Sequence, residues 1–182
     1  MERLRLNKKE IMEDYNSTAA IYDMRYSEEQ TLKISFILSR VNVEEGSTLV
    51  DTGCGTGFLL KELAKRKGRS GLLVGIDSSI NMLKEAKRKE TGAEIILADV
   101  EALPFKNNCC DAVFSVSVLQ LVEDPHRGFH ELMRVLKEGG VFATTILRKA
   151  KTAYELGTVD DVMMELYDSE TMRDVFLLGH KK

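Results

Sequence analysis

Ten residues, Leu49-Val-Asp-Thr-Gly-Cys-Gly-Thr-Gly-Phe58, restrict the architecture of this chain more than any other stretch. A short apolar run stops at an acid, Asp51. Glycines follow at alternate positions, Gly53, Gly55 and Gly57, and an apolar pattern of helical spacing then begins. The order reads strand, tight turn, helix. Glycine there allows backbone angles closed to other residues and lets a ligand lie against main-chain N–H groups with no Cβ in the way. A tight turn with no ligand is the alternative reading of the same residues.

The spacing narrows the ligand. In the dinucleotide fingerprint, G-x-G-x-x-G, the turn and helix N-terminus hold a pyrophosphate. Here the third glycine comes one residue early, and an acid at the strand end would repel a phosphate. An acid suits a cationic amine or a sulfonium instead. The stretch resembles motif I of the class I S-adenosylmethionine-dependent methyltransferases, an acid, any residue, then Gly-x-Gly-x-Gly.

The rest of the chain supplies further matches in order. Leu72 to Ile76 is an almost continuously apolar run, as expected of a parallel strand covered on both faces. It ends at Asp77, 20 residues beyond Gly57, the distance at which Rossmann-type folds place an acid on a ribose diol. Taken alone, such an acid is a charge partner for the helix that follows. Ser78 or Ser79 caps that helix, with Met82, Leu83 and Ala86 inward. A third strand, Glu94 to Ala98, leads to Asp99-Val100. By the resemblance Asp99 bonds the adenine amino group and Val100 packs on the ring, although Asp99 is also an ordinary turn former. Strand four, Cys110 to Val118, continues into Ser115-Val-Ser-Val-Leu-Gln120, similar to the family segment beneath the methionine part of the cofactor. Gln120 stands where relatives often carry histidine, so the general base is left open. Asp124-Pro125 opens another helix, and Lys137-Glu-Gly139-Gly140 turns into strand five, Val141 to Leu147. Two strands joined at Asp168-Ser-Glu-Thr close the chain, with room for one or two helical turns in Arg148 to Asp161.

Upstream, Asn7 to Val41 contains no proline or glycine and has helical periodicity, with a break near Ser27 that predicts two helices. Tyr15-Asn-Ser-Thr-Ala-Ala-Ile-Tyr22-Asp is similar to the Tyr-x-x-x-Ala-x-x-Tyr-Asp opening of small-substrate methyltransferases, in which this helix caps the cofactor. Packing aromatics on a buried helix face is the plainer reading.

Length and composition set outer limits. At 182 residues, with 43% hydrophobic and 30% charged residues, the chain suits one globular unit. No apolar run approaches the roughly 20 residues that span a bilayer, and the start, Met1-Glu-Arg-Leu-Arg, lacks a signal-peptide core, so a cytoplasmic protein without a membrane partner is expected. Three cysteines, Cys54, Cys109 and Cys110, form no disulfide framework or C-x-x-C site and fit a reducing compartment. His126 and His130 share a helix face, but no third metal ligand is suggested nearby, and no metal is expected. The basic clusters Lys65-Arg-Lys67 and Lys87-Arg-Lys89 end two helices, where cations complement the dipoles.

The resemblance implies an α/β fold, a Rossmann-like seven-stranded methyltransferase sheet, mostly parallel with the last strand antiparallel, and helices on both faces. Residues 1–41 would form an N-terminal helical cap and 42–182 the S-adenosylmethionine-binding unit. It implies a cofactor set of Tyr15, Tyr22, Asp51, Gly53, Cys54, Gly55, Gly57, Asp77, Ser78, Met82, Asp99, Val100, Ser115 and Ser117, with Tyr22 and Gln120 as catalytic candidates. After strand four the chain lacks the Asn/Asp-Pro-Pro-Tyr clamp of enzymes that methylate planar nitrogens, and its net charge of −3 offers no general pull on a polyanion. A small-molecule methyl acceptor is therefore expected. The rivals are RNA methylation with a small accessory subunit, a non-catalytic S-adenosylmethionine-binding scaffold, and transfer of another group from the same cofactor.

Overall fold

The computed structural model describes residues 7–150, 162–168 and 171–182. Its strands are β1 (Thr48–Thr52), β2 (Leu72–Asp77), β3 (Glu94–Leu97), β4 (Cys110–Val116), β5 (Leu136–Leu147), β6 (Val162–Asp168) and β7 (Asp174–Lys181). They form one sheet in the order β3-β2-β1-β4-β5-β7-β6. The β1, β2, β3, β4 and β5 neighbours pair in parallel, and β7 runs antiparallel to both β5 and β6. This is the expected seven-stranded Rossmann-like methyltransferase sheet with an antiparallel last strand. After β3 the chain crosses back to place β4 on the far side of β1. The strand order therefore reverses beside β1, and open α/β sheets collect ligands outside the carboxyl ends of the strands at such a point.

Side-chain alternation along the strands divides the core between two faces. Val50, Val113 and Leu177 point to the face covered by α4 (Pro125–Val135), where Phe129 meets Phe142 edge to face with centroids 5.6 Å apart. Their neighbours Leu49, Phe114 and Phe176 point to the other face, under α2 (Phe58–Ala64), α3 (Ile80–Arg88) and the C-terminal turns of α1 (Lys8–Leu38). Each such large side chain contributes roughly 1.5–3 kcal/mol by leaving water.

The N-terminal segment is one helix of 31 residues and not two. Asn7 and Glu10 form a reciprocal capping box at its start, and nothing in the sequence breaks it afterwards. The interruption of periodicity near Ser27 marks a change of partner. Beyond it Ile34 and Ile37 are buried in the sheet-face core, whereas before it the helix lies over the ligand crevice and buries only Ala19. Other boundaries shift modestly. The second helix ends at Ala64 and not Lys67, and β3 ends at Leu97. β4 stops at Val116, ahead of Ser117 at φ 59° and a 3-10 turn over Leu119–Leu121. β5 begins at Leu136, because that residue already pairs with Cys110 before a register shift. The helical turns expected up to Asp161 lie, from residue 151 onward, outside the described residues. Among the described residues no helix is long and apolar enough to cross a membrane.

Candidate functional site

Above the ends of β1, β2 and β4 lies an open cavity of about 740 Å³, its mouth included. The glycine loop forms its floor. Gly53 and Gly55 both have positive φ, 69° and 54°, but for different reasons. A Cβ on Gly53 would lie 2.2 Å from Val118, so this glycine lets the segment after β4 close against the loop. A Cβ on Gly55 would meet nothing within 4 Å and would occupy the cavity itself. Gly57 caps α2, where a Cβ would press on Ala86 of α3 at 3.2 Å, so its role is helix packing.

Asp77 and Asp99 line this cavity, and Asp51 lines a smaller one that adjoins it. Asp51 is the penultimate residue of β1 and is 2% exposed. Burial, then the charge of Asp77, pushes its carboxyl pKa well above the usual range, and among the described residues no cation pairs with it. Asp77 ends β2. It accepts hydrogen bonds from the Ser79 N–H at 2.8 Å and the Gly55 N–H at 2.9 Å. Burial raises its pKa against the opposing pull of those donors. Each oxygen keeps a lone pair for a further donor. Asp99 follows β3, accepts from the Glu101 N–H at 3.0 Å, and is ion-paired to Lys8.

The first two-thirds of α1 forms the roof. Its spacing puts Lys8, Ile11, Met12, Tyr15 and Tyr22 on the cavity. Polar contacts hold this part down. The Asn16 side-chain oxygen accepts from Ser79 Oγ at 2.8 Å and from the Asn81 N–H at 3.1 Å, and Asp23 binds Thr56 Oγ1 at 2.5 Å and Lys89 at 2.8 Å. Tyr22 stacks obliquely between Tyr15 and Tyr26, at 6.3 and 4.8 Å. Burial pushes the Tyr15 phenol up to about 12 and raises that of Tyr22 as well. Both remain neutral at physiological pH and offer a phenol and an aromatic face, not a phenolate.

The wall beyond β4 rests on a buried polar network. Ser117 donates from its N–H to Thr145 at 2.9 Å and from Oγ to Asp174 at 2.6 Å. Lys33 of α1 reaches Asp174 at 3.0 Å and Ser117 Oγ at 2.9 Å, and Thr145 also donates to Asp174. Lys33 and Asp174 are 3% and 0% exposed. This network joins the roof, β4, β5 and β7 at one point.

Ten of the residues singled out from sequence line the main cavity: Tyr15, Tyr22, Gly53, Gly55, Asp77, Ser78, Met82, Asp99, Val100 and Ser117. A smaller adjoining cavity brings in Asp51 and Cys54 beside Gln30, Thr56 and Phe58. Gly57, Ser115 and Gln120 line neither. Gln120 turns its amide onto the loop, donating to the Ser117 carbonyl at 2.8 Å, and Ser115 is wholly buried in the sheet. The sequence reading missed Lys8, Ile11, Met12, Val118 and Leu121 as lining residues. For Lys8, Ile11 and Met12 the Asn7/Glu10 capping-box pattern was the available signal, since it puts them in the first turns of the helix that carries Tyr15. Among the described residues no group of three or more His, Cys, Asp or Glu is placed to hold a metal ion. The carboxylate acceptors instead suit a ligand with a cation, vicinal hydroxyls and an aromatic amine.

A protein family described as a methyltransferase domain matches residues 50–144. Malonyl-[acyl-carrier protein] O-methyltransferase of Hahella chejuensis is 34% identical over 160 residues, 86% of this chain and 56% of that protein. Demethylmenaquinone methyltransferase of Desulfitobacterium hafniense is 32% identical over 154 residues, 76% of this chain and 59% of that one. The chain spans about half the length of the curated relatives it matches. Among solved structures, the Haloferax volcanii complex of the Trm112 methyltransferase activator with a methyltransferase aligns at TM-score 0.76 and 19% identity, over 92% of this chain and 97% of that one. A SAM-dependent methyltransferase from Aquifex aeolicus aligns at TM-score 0.70 and 21% identity, over 82% and 89%. At these identities the structural likeness concerns the fold.

Proposed function

The chain belongs to the methyltransferase-domain family, and from that premise we propose that it transfers a methyl group from S-adenosylmethionine to a small molecule held beneath α1. The observation that carries this reading is Asp51, a buried carboxylate with no cation of its own among the described residues, next to a glycine whose missing Cβ leaves the cavity open. An ammonium ligand completes such an acid, whereas a pyrophosphate would be repelled. In this reading Asp51 takes the amino group of the cofactor, Asp77 the ribose diol, and Asp99 with Val100 the adenine.

S-adenosylmethionine supplies an electrophilic methyl group on sulfur, which keeps the bonding pair when the acceptor's lone pair forms the new bond. The protein's own contribution is position and exclusion of water. Lining up two reactants removes much of the entropic barrier of a bimolecular step, on the order of 7–11 kcal/mol in well-oriented cases. Tyr22 walls both cavities as a neutral phenol, and Ser117, fixed at its N–H and Oγ, holds the opposite side. Neither serves as a strong base. Gln120 fixes the loop through the Ser117 carbonyl and acts on the acceptor only through that wall.

Two relatives, named as methyltransferases of malonyl-[acyl-carrier protein] and demethylmenaquinone, favour a small acyl or ring acceptor. The likeness to a methyltransferase bound to the Trm112 activator favours a second reading, RNA methylation with an accessory subunit. Incubation with methyl-labelled S-adenosylmethionine and separate metabolite, RNA and protein fractions, with and without a Trm112-type partner, distinguishes them. Label in the metabolite fraction from the protein alone is expected. Label in RNA only when the partner is added would overturn the small-molecule reading, and no label despite cofactor binding would favour a scaffold.

A further inference from the structure

We propose that Lys8 reads the base of the cofactor: with Asp99 it sets an N–H donor beside a carboxylate acceptor at one end of the cavity, the pattern complementary to the edge of a 6-aminopurine. The proposal rests on the cofactor reading above and adds a residue to it that no motif marks. Lys8 is the first residue of α1, and its place is fixed by the capping box that Asn7, one residue earlier, forms with Glu10. It lines the same cavity as Asp77, Ser78, Asp99 and Val100.

The ammonium group has three N–H donors. Asp99 and Glu101 each take one, through Oδ2 and Oε2. Glu101 is itself held rigidly. It is 6% exposed and accepts from the Asp124 N–H at 3.0 Å and the Glu123 N–H at 3.4 Å. The ammonium is therefore pinned between two oriented carboxylates, with one donor left over at the cavity. Asp99 in turn has its Oδ1 on the Glu101 N–H and its Oδ2 on Lys8, and each oxygen keeps a lone pair. Adenine presents an amino donor flanked by ring acceptors, N1 on one side and N7 on the other. A carboxylate beside an ammonium matches that edge on either side. Without Lys8 the acid would stand alone beneath α1, able to accept from the amino group but giving nothing to a ring nitrogen.

A simpler role would have Lys8 only clip the end of α1 to the body. The two roles part under a binding cycle. The probes are S-adenosylhomocysteine and its two analogues in which N1 or N7 is replaced by C–H, each titrated into the wild-type chain and Lys8→Met. Lys8→Met leaves the nearly buried Glu101 carboxylate its two main-chain donors but takes away its cation, so a lower melting temperature is expected, and all titrations are made well below the variant's unfolding range. Wild-type protein should bind one of the deaza analogues about tenfold or more weakly than S-adenosylhomocysteine, the scale of a lost hydrogen bond to a charged group. In Lys8→Met, S-adenosylhomocysteine should fall to the affinity of that analogue, and the difference between them should vanish. Equal wild-type affinities for all three ligands, or a loss by one common factor in the variant, would overturn base reading and leave the clip. Wild-type protein that binds no S-adenosylhomocysteine would remove the cofactor reading itself, and the role of Lys8 with it.

Discussion

The Asp77 carboxylate accepts a hydrogen bond from the Gly55 main-chain N–H at 2.9 Å, tying the tip of β2 to the middle of the glycine loop. One acid thus shapes the loop and faces the cavity that the loop lines. The side chain is partly buried and already holds two main-chain donors.

Asp77→Ala should therefore weaken S-adenosylhomocysteine binding by about 1–3 kcal/mol, with loss of loop order adding to loss of the diol contact. Asp77→Asn, which keeps one acceptor oxygen, should fall between. Calorimetric titration checks both, and wild-type affinity in Asp77→Ala would place the ligand elsewhere.

The two glycines that differ most in surroundings should separate stability from binding. Gly53→Ala drives a Cβ into Val118 and should cost about 1–3 kcal/mol of overpacking on top of the backbone strain, with a lower melting temperature. Adding Val118→Ala should recover part of it. Gly55→Ala meets no atom of the protein and should cost about 1–2 kcal/mol from its positive φ alone, while affinity for the cofactor drops sharply. Equal losses of stability in the two variants would contradict this division.

Lys33 and Asp174 form an ion pair sealed from water, and Asp174→Ala leaves the ammonium with Glu29 as its acid partner. Breaking a buried pair from one side costs about 3–5 kcal/mol, and the Glu29 contact should keep this case near the lower figure. The double change Lys33→Met with Asp174→Leu should be less destabilised than Asp174→Ala. Chemical denaturation of the three variants measures the order.

Asp51 and Asp77 have folded pKa values raised above the unfolded ones. For such acids the stabilising contribution is full below the unfolded value, about 3.9, and is lost as pH rises through the raised folded value. Ligand binding that pairs an ammonium with ionised Asp51 should then release protons in the window just above the ordinary carboxylate pKa. Calorimetry in buffers of different ionisation enthalpy should detect that release in the wild type and find it diminished in Asp51→Asn. A buffer-independent heat in the wild type would argue against an ionised Asp51 in the complex.

Much of this was legible locally. The glycine loop, Asp77 and Asp99 announce themselves because strand ends, turns and helix caps are written within a few residues. The seven-stranded, mostly parallel sheet with its antiparallel last strand followed from the resemblance those motifs carry. What stayed hidden depends on distant pairs. Lys8 meets Glu101 across 93 residues and Lys33 meets Ser117 across 84, and no periodicity records either. The same cause misled the reading of α1. Its middle is held by Asn16 and Asp23 through hydrogen bonds and charge, so the apolar pattern lapses while the helix runs on. Gln120 follows the fold's motif position but spends its amide on the Ser117 carbonyl, in the turn where Ser117 has positive φ.

The most direct measurement of the site is a pair of calorimetric titrations of the unmodified chain, one with S-adenosylhomocysteine and one with NAD at matched concentrations. One saturable site per chain for S-adenosylhomocysteine, with no heat of binding from NAD, is expected from the acid at the end of β1 and the open face of Gly55. Saturable binding of NAD with no response to S-adenosylhomocysteine would contradict the assignment of the cavity.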